Sequence, residues 1–340
     1  MLPLRTFVLA LAAWTLSLSA QPRLGQIEIY GTRKIPHEKI LKAIGMAPGD
    51  PLTKPKGDIE DTLESIDGVV RAQVEAFCCE QGNPILYVGI LERGTLNTVY
   101  RAYPDQDLAL PDEIVRAYAD FTAALSRASA EGDLKEDLSQ GYSLMQNLPC
   151  HVAQERFIGL AQIHVAVLRN VLKNGRSSDL RAIAAYILGY APDKSAVIGD
   201  IQLAMQDPDG GVRANAARTL RGFAFYSLQN PDSDLKVQAT WFVELANSID
   251  LGDRLEAAKG LLLFTEKPNE AVTANIRDRA LPSLLEVARW QYLPHALPAF
   301  LVVGRVAGMP DEELEKAWAS GDREKILKSI EKPAKKPSSK

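Results

Sequence analysis

The sequence predicts an α+β protein in which a small N-terminal domain, ordered strand, helix, helix, strand, strand, precedes an all-helical solenoid. One motif predicts the solenoid. An Arg is followed by an Ala-Ala pair three and four residues on and by a Leu at the seventh. It occurs at Arg181, Ala184, Ala185, Leu188, again at Arg213, Ala216, Ala217, Leu220, and again at Arg254, Ala257, Ala258, Leu261. The copies lie 32 and 41 residues apart, a spacing at which one pair of antiparallel helices stacks on the next to share a core. Alternating apolar stretches around two segments of helical period predict the N-terminal domain.

The first twenty residues read as a targeting segment. Arg5 precedes the apolar run Phe7–Leu18, and small residues follow at Ser17, Ser19 and Ala20. That pattern predicts a secretory signal removed after Ser19 or Ala20, with an uncleaved anchor as the alternative. No later apolar run reaches membrane-spanning length.

Residues 21–95 form the predicted α+β domain. Ile27 and Ile29 alternate with polar neighbours in a strand closed by Gly31. Ile35, Ile40, Leu41 and Ile44 follow a helical period, with Pro36 suited to a first turn. After the breaker-rich Ala47–Leu52, a second helix carries Ile59, Leu63 and Ile66 and ends at Gly68. Two strands, Val70–Cys79 and Ile85–Glu92, join around Gln81-Gly82-Asn83. If Ala72, Val74 and Ala76 face the helices, Phe77 and Cys79 face away. The last strand carries Leu86, Val88 and Ile90 on one face and Ile85, Tyr87 and Leu91 on the other. A sheet covered on one side alone shows polar residues on the other. Phe77, Ile85, Tyr87 and Leu91 therefore mark a second face covered by this chain's own helices or by a partner.

Residues 96–110 form a charged linker, and adaptor helices occupy 111–176, opening at Pro111-Asp112-Glu113 and closing at Asn174-Gly175. The repeats and a C-terminal cap span 177–331, and a Lys/Pro/Ser tail, 332–340, is expected to be disordered. A fourth motif copy is expected at Arg277, where Ala280 fits and Leu281 replaces the second Ala.

The phrases Ile27-x-Ile29-x-Gly31-x-x-x-Ile35, Gly49-Asp50-Pro51-Leu52 and Gly68-Val69-Val70-x-Ala72-x-Val74 resemble, in that order, the POTRA domain, in a single copy covering about one-fifth of the chain. The resemblance implies binding of other polypeptides in the cell envelope, often through a sheet edge. The stretch Asp207-Pro208-Asp209-Gly210-Gly211-Val212-Arg213 with Ala216, Ala217 and Leu220 resembles HEAT repeats of the kind also found in phycobilisome lyases. Arg181, Arg213 and Arg254 stand at the same place in each repeat. That recurrence implies a structural role rather than ligand binding, and Arg213 is expected to pair with or cap a carboxylate of a neighbouring repeat.

The chemistry-bearing residues are sparse. The net charge of −4 offers no basic field for a polyanion, so no nucleic-acid role is expected. The four His, at 37, 151, 164 and 295, form no HExxH or paired His-Glu motif, and no GxSxG, GxxxxGK[ST] or GxGxxG occurs. No cofactor, metal or catalytic residue is predicted. Among Cys78, Cys79 and Cys150, vicinal pairing is least favoured and Cys79–Cys150 is the candidate bridge, against three reduced thiols. The sequence thus reads as a non-enzymatic protein-interaction module of a bacterial envelope, periplasmic or secreted. The alternatives are an enzyme accessory or atypical lyase using the concave face of the repeats, and a purely structural envelope component.

Overall fold

The computed structural model describes residues 22–80 (backbone only at 78–80), 83–95 and 98–331. Residues 1–21, 81–82, 96–97 and 332–340 lie outside them, and with them the expected signal and the expected tail. A three-stranded sheet is built from β1 (Gln26–Tyr30), β2 (Val69–Glu80) and β3 (Asn83–Glu92), with α1 (His37–Ile44) and α2 (Lys56–Glu64) between β1 and β2. Its order is β1-β3-β2, with β1 parallel and β2 antiparallel to the central β3. The strand, helix, helix, strand, strand order is the one the sequence predicts, and a mostly helical region follows.

That region begins with α3 (Asp112–Glu131), a two-residue hairpin of β4 (Glu136–Asp137) and β5 (Leu144–Met145), and the long α4 (Leu148–Asn174). The three motif copies open α5 (Ser178–Ile187), α7 (Gly210–Gln229) and α9 (Leu251–Phe264), each with its Arg as the fourth helical residue. Between them run α6 (Lys194–Ala204) and α8 (Thr240–Leu245), and beyond them α10 (Glu270–Arg279), α11 (Leu281–Ala288), α12 (Leu293–Val306), α13 (Asp311–Ser320) and α14 (Arg323–Glu331). N-cap side chains start the elements: Ser177 accepts from Leu180 N–H, Asp193 from Ala196 N–H and Asp209 from Val212 N–H.

Helices α4, α5, α7, α9 and α12 pack in a row. Ala184, Ala185, Ala216, Ala217, Ala257 and Ala258 are all buried at the contacts, where a missing side chain lets two helix axes approach. Ala217→Leu is expected to lower stability by about 1–3 kcal/mol through overpacking, and a thermal midpoint unchanged from wild type would place Ala217 outside the seam.

The fourth copy is a correction. Arg277 lies in the last turn of α10, where its Nη2 donates to Val306 O at 3.1 Å, and the backbone breaks at Ala280 before α11. The helix packed beside α9 is α12. Its fourth residue is Ala296, followed by Ala299, Phe300 and Val303, all fully buried. Pro294 falls in its first turn, where a missing N–H costs nothing.

Two apolar cores result. Leu86, Val88, Ile90, Ala72 and Val74 pack on Ile40, Ile44, Ile59 and Leu63 of α1 and α2. Tyr30, Ile85 and Tyr87, on the opposite face of the same sheet, belong to the core of the helical region. The sheet is a middle layer.

Candidate functional site

The three motif arginines form a ladder in the helical core. Arg181, Arg213 and Arg254 are each about 1 % exposed, and a buried guanidinium is tolerable only when paired and hydrogen-bonded. Arg181 meets Asp207 as a fork, Nε to Oδ2 at 2.9 Å and Nη2 to Oδ1 at 2.8 Å, while Nη1 donates to Gly175 O and Arg176 O. Arg213 Nε donates to both oxygens of Asp253 at 3.0 and 2.9 Å, Nη2 pairs with Asp250, and Nη1 donates to Asp207 O and Pro208 O. Arg254 donates to Ser248 O at 2.6 Å and to Glu286 Oε2 at 2.8 Å. Each Arg thus takes its carboxylate from the following repeat and also caps nearby carbonyls. Burial alone would raise the Asp207 carboxyl, but the hydrogen bonds from Arg181 and Arg101 outweigh it and hold it below the usual range.

Every rung also receives a group from the N-terminal part of the chain. Arg101 of the linker donates to Asp207 and to Leu172 O. Tyr100 lies over Arg213, 4.0 Å from guanidinium carbon to ring centroid, and its hydroxyl reaches Ser248. Tyr30 lies over Arg254 at 4.5 Å, its hydroxyl donating to Ile249 O at 2.7 Å, and Arg33 pairs with Glu286. The loop carrying Arg33 is held by Glu92, whose carboxylate accepts from the N–H groups of Arg33, Lys34 and Ile35. The ladder is the seam on which the sheet and linker dock.

The four residues marked for the second sheet face fall on this seam. Ile85 and Tyr87 are fully buried. Tyr87 packs on Trp290 with ring centroids 4.8 Å apart, and its hydroxyl hydrogen-bonds His295 Nδ1 at 2.8 Å. Phe77 meets His295 edge-on and Tyr292 at a tilt but is 37 % exposed, and Leu91 is half-buried. Cys150 carries a free, fully buried thiol at the start of α4, in the core between α3 and α4. It makes no bridge, and β2 runs over α12 at Phe77. The Cys79 side chain lies outside the described residues.

Burial, with a smaller contribution from Lys259, pushes the His295 imidazole down to about 4. A base whose folded value lies below its unfolded 6.5 stabilises the fold fully above pH 6.5, and that stability is lost as pH falls toward 4. The shift corresponds to roughly 3 kcal/mol as a ceiling. Urea unfolding at pH 7 and pH 4.5 should show a smaller acid loss in His295→Gln than in wild type. Equal losses would mean that the Tyr87–His295 contact does not set the acid limit.

Beside the seam lies an open cleft of about 710 Å³. One wall is β2, through Arg71, Gln73, Glu75, Ala76 and Phe77, and the other is the N-terminal turns of α5, α7 and α9. Gly210, Gly211 and Gly252 leave that second wall bare at three positions, and a Cβ at Gly252 would meet nothing within 4 Å. Tyr103, 78 % exposed, stands at the mouth. The free edge of β2 is guarded: Glu64 accepts from Ala72 N–H at 3.0 Å and Glu60 from Val74 N–H at 2.7 Å. Such carboxylates blunt an edge strand against indiscriminate pairing. Ala76, next in that register, borders the cleft. A second cleft of about 710 Å³ lies between the ends of α9, α10 and α12, where Arg277 and Arg305 are already paired with Glu270 and Asp311.

Sequence reasoning did not reach the carboxylates of the ladder or the acidic guard. The pair Glu60 and Glu64, four apart on α2 beside an edge strand, was the available signal. Among the described residues no helix is long and apolar enough to cross a membrane, and no group of three His, Cys, Asp or Glu side chains could hold a metal ion. Compared with known proteins, the sequence matches no family model, and no curated protein matches it.

Proposed function

We propose that this chain is a non-enzymatic interaction module of the bacterial cell envelope that holds an extended polypeptide segment in the cleft between β2 and the N-terminal turns of α5, α7 and α9. The cleft carries the reading. A segment laid along β2 pairs with edge groups near Ala76, sets side chains against Phe77, Tyr103 and Leu255, and turns carbonyl oxygens toward helix ends that favour negative charge. The POTRA-like phrases and the HEAT-like motif support polypeptides as the ligand class. Residues 1–20 support export, and the mature protein then begins at Ala20 or Gln21.

The test is site-specific photocrosslinking in the native envelope. A photoreactive residue at Tyr103 or Phe77 should give polypeptide adducts, and one at Leu148, 71 % exposed on α4, should not. Gly252→Trp, which fills open space in the cleft, should suppress the Tyr103 adduct. Equal adducts at Leu148, or a Tyr103 adduct unaffected by Gly252→Trp, would reject the cleft as the site.

A further inference from the structure

A smaller cleft, of about 270 Å³, opens on the other side of the helical region, against α3 and the β4–β5 hairpin. Phe121, Leu125 and Met145 give it an apolar wall, and Arg218, Arg221 and Lys259 give it a basic one. Two carboxylates face these cations. Glu256 bonds Lys259 Nζ at 2.9 Å and lies 3.7 Å from Arg221 and 4.0 Å from Arg218, while Glu136 pairs with Arg221. Three cations against two carboxylates leave one positive charge over. Burial alone would raise the Glu256 carboxyl, but Arg221, Lys259 and Arg218 outweigh it and hold it at about 2, so that excess persists at neutral pH.

The excess sits on donors without acceptors. Among the described residues nothing accepts a hydrogen bond from Arg218, whose closest carboxylate oxygen is the 4.0 Å one of Glu256 and whose side chain is 33 % exposed. Arg221 Nε is buried and has no partner either. Buried and half-buried guanidinium donors are ordinarily satisfied, and Arg181, Arg213 and Arg254 in the same protein are. An apolar wall beside unsatisfied cationic donors matches one ligand chemistry: an anionic head on a short apolar body.

We propose that this cleft binds a monocarboxylate carried on a small aromatic or aliphatic body, its carboxylate on Arg218 at the basic wall and its body against Phe121, Leu125 and Met145. The volume admits a body of about one aromatic ring and excludes a folded partner. The proposal stands independently of the polypeptide cleft, because the two share no lining residue. A free acid and the C-terminal carboxylate of a peptide present the same chemistry.

Calorimetric titration of the full chain with 3-phenylpropanoate, its amide, and an N-acetylated dipeptide ending in Phe with a free carboxylate tests this. The acid should bind saturably and the amide about 10- to 100-fold more weakly, as loss of charge-assisted hydrogen bonds requires. Arg218→Met should weaken acid binding by a similar factor, and its thermal midpoint, measured alongside, shows that the variant is still folded at the titration temperature although Arg218 no longer supports the buried Glu256. Arg116→Gln, an exposed cation on α3, should leave binding unchanged. Binding of the free acid alone assigns a small metabolite, and binding of the dipeptide as well assigns a peptide terminus. No saturable binding of either carboxylate, or equal affinity for acid and amide, overturns the proposal.

Discussion

Asp207→Ala is expected to lower the unfolding free energy by about 3–5 kcal/mol, the range for removing one partner of a buried ion pair. Asp207 is fully buried and receives the fork of Arg181 together with Arg101. Its removal leaves Arg181, about 1 % exposed, with only the carbonyls of Gly175 and Arg176. Ordinary side-chain loss is the comparison. Asp193→Ala, at the exposed N-cap of α6, removes one hydrogen bond to Ala196 N–H and should cost about 1 kcal/mol. Chemical denaturation of both variants checks the contrast. A loss below about 1 kcal/mol for Asp207→Ala would mean that water reaches Arg181 and that the ladder is not closed.

Gly89→Val should separate the sheet from the helical region. A Cβ at Gly89 would sit 2.2 Å from Ile249 O and 2.8 Å from Tyr30 Cε2, and a backbone carbonyl cannot swing aside as a flexible side chain can. Overpacking of this kind costs about 1–3 kcal/mol, occasionally more. In a strand the same change is otherwise favourable, because Val suits a pleated surface better than Gly. The sign therefore reports on docking. The variant should unfold at lower denaturant than wild type, and Trp290, buried against Tyr30 and Tyr87, should become accessible to a collisional quencher. A variant more stable than wild type, with Trp290 still protected, would show that Ile249 is not held against β3.

Much of the fold was legible because local rules acted without competition. Alternation in β3 placed Leu86, Val88 and Ile90 on one face and Ile85, Tyr87 and Leu91 on the other, and the structure finds the first set in one core and Ile85 and Tyr87 in the other, with Leu91 half-buried at the margin. The repeat was legible from small residues, since Ala-Ala at a fixed register reports close helix packing wherever it occurs. Arg277 misled for a related reason. It matched the pattern by residue type, but the Ala280-Leu281-Pro282 break ended the helix, and the packing position passed to α12, where Ala296 stands in the place of Arg.

The candidate sites were less legible because their parts are far apart in the chain. The carboxylates of the ladder follow their arginines by 26, 40 and 32 residues, an interval set by loop lengths rather than by any period. The basic cleft had one local sign, Arg218 and Arg221 one turn apart on α7, and its third cation, Lys259, comes from α9.

By itself the sequence determined the order of strands and helices in the N-terminal domain, the two apolar faces of its sheet and the register of three repeats, because each follows from side-chain period along one segment. The tertiary structure alone decided what lies over the second face, which acid answers each buried Arg, and where clefts remain open. Those outcomes depend on desolvation and close packing between segments distant in sequence. Trp290 and His295 on Tyr87, Tyr30 on Arg254 and Arg101 on Asp207 are contacts that no local pattern encodes.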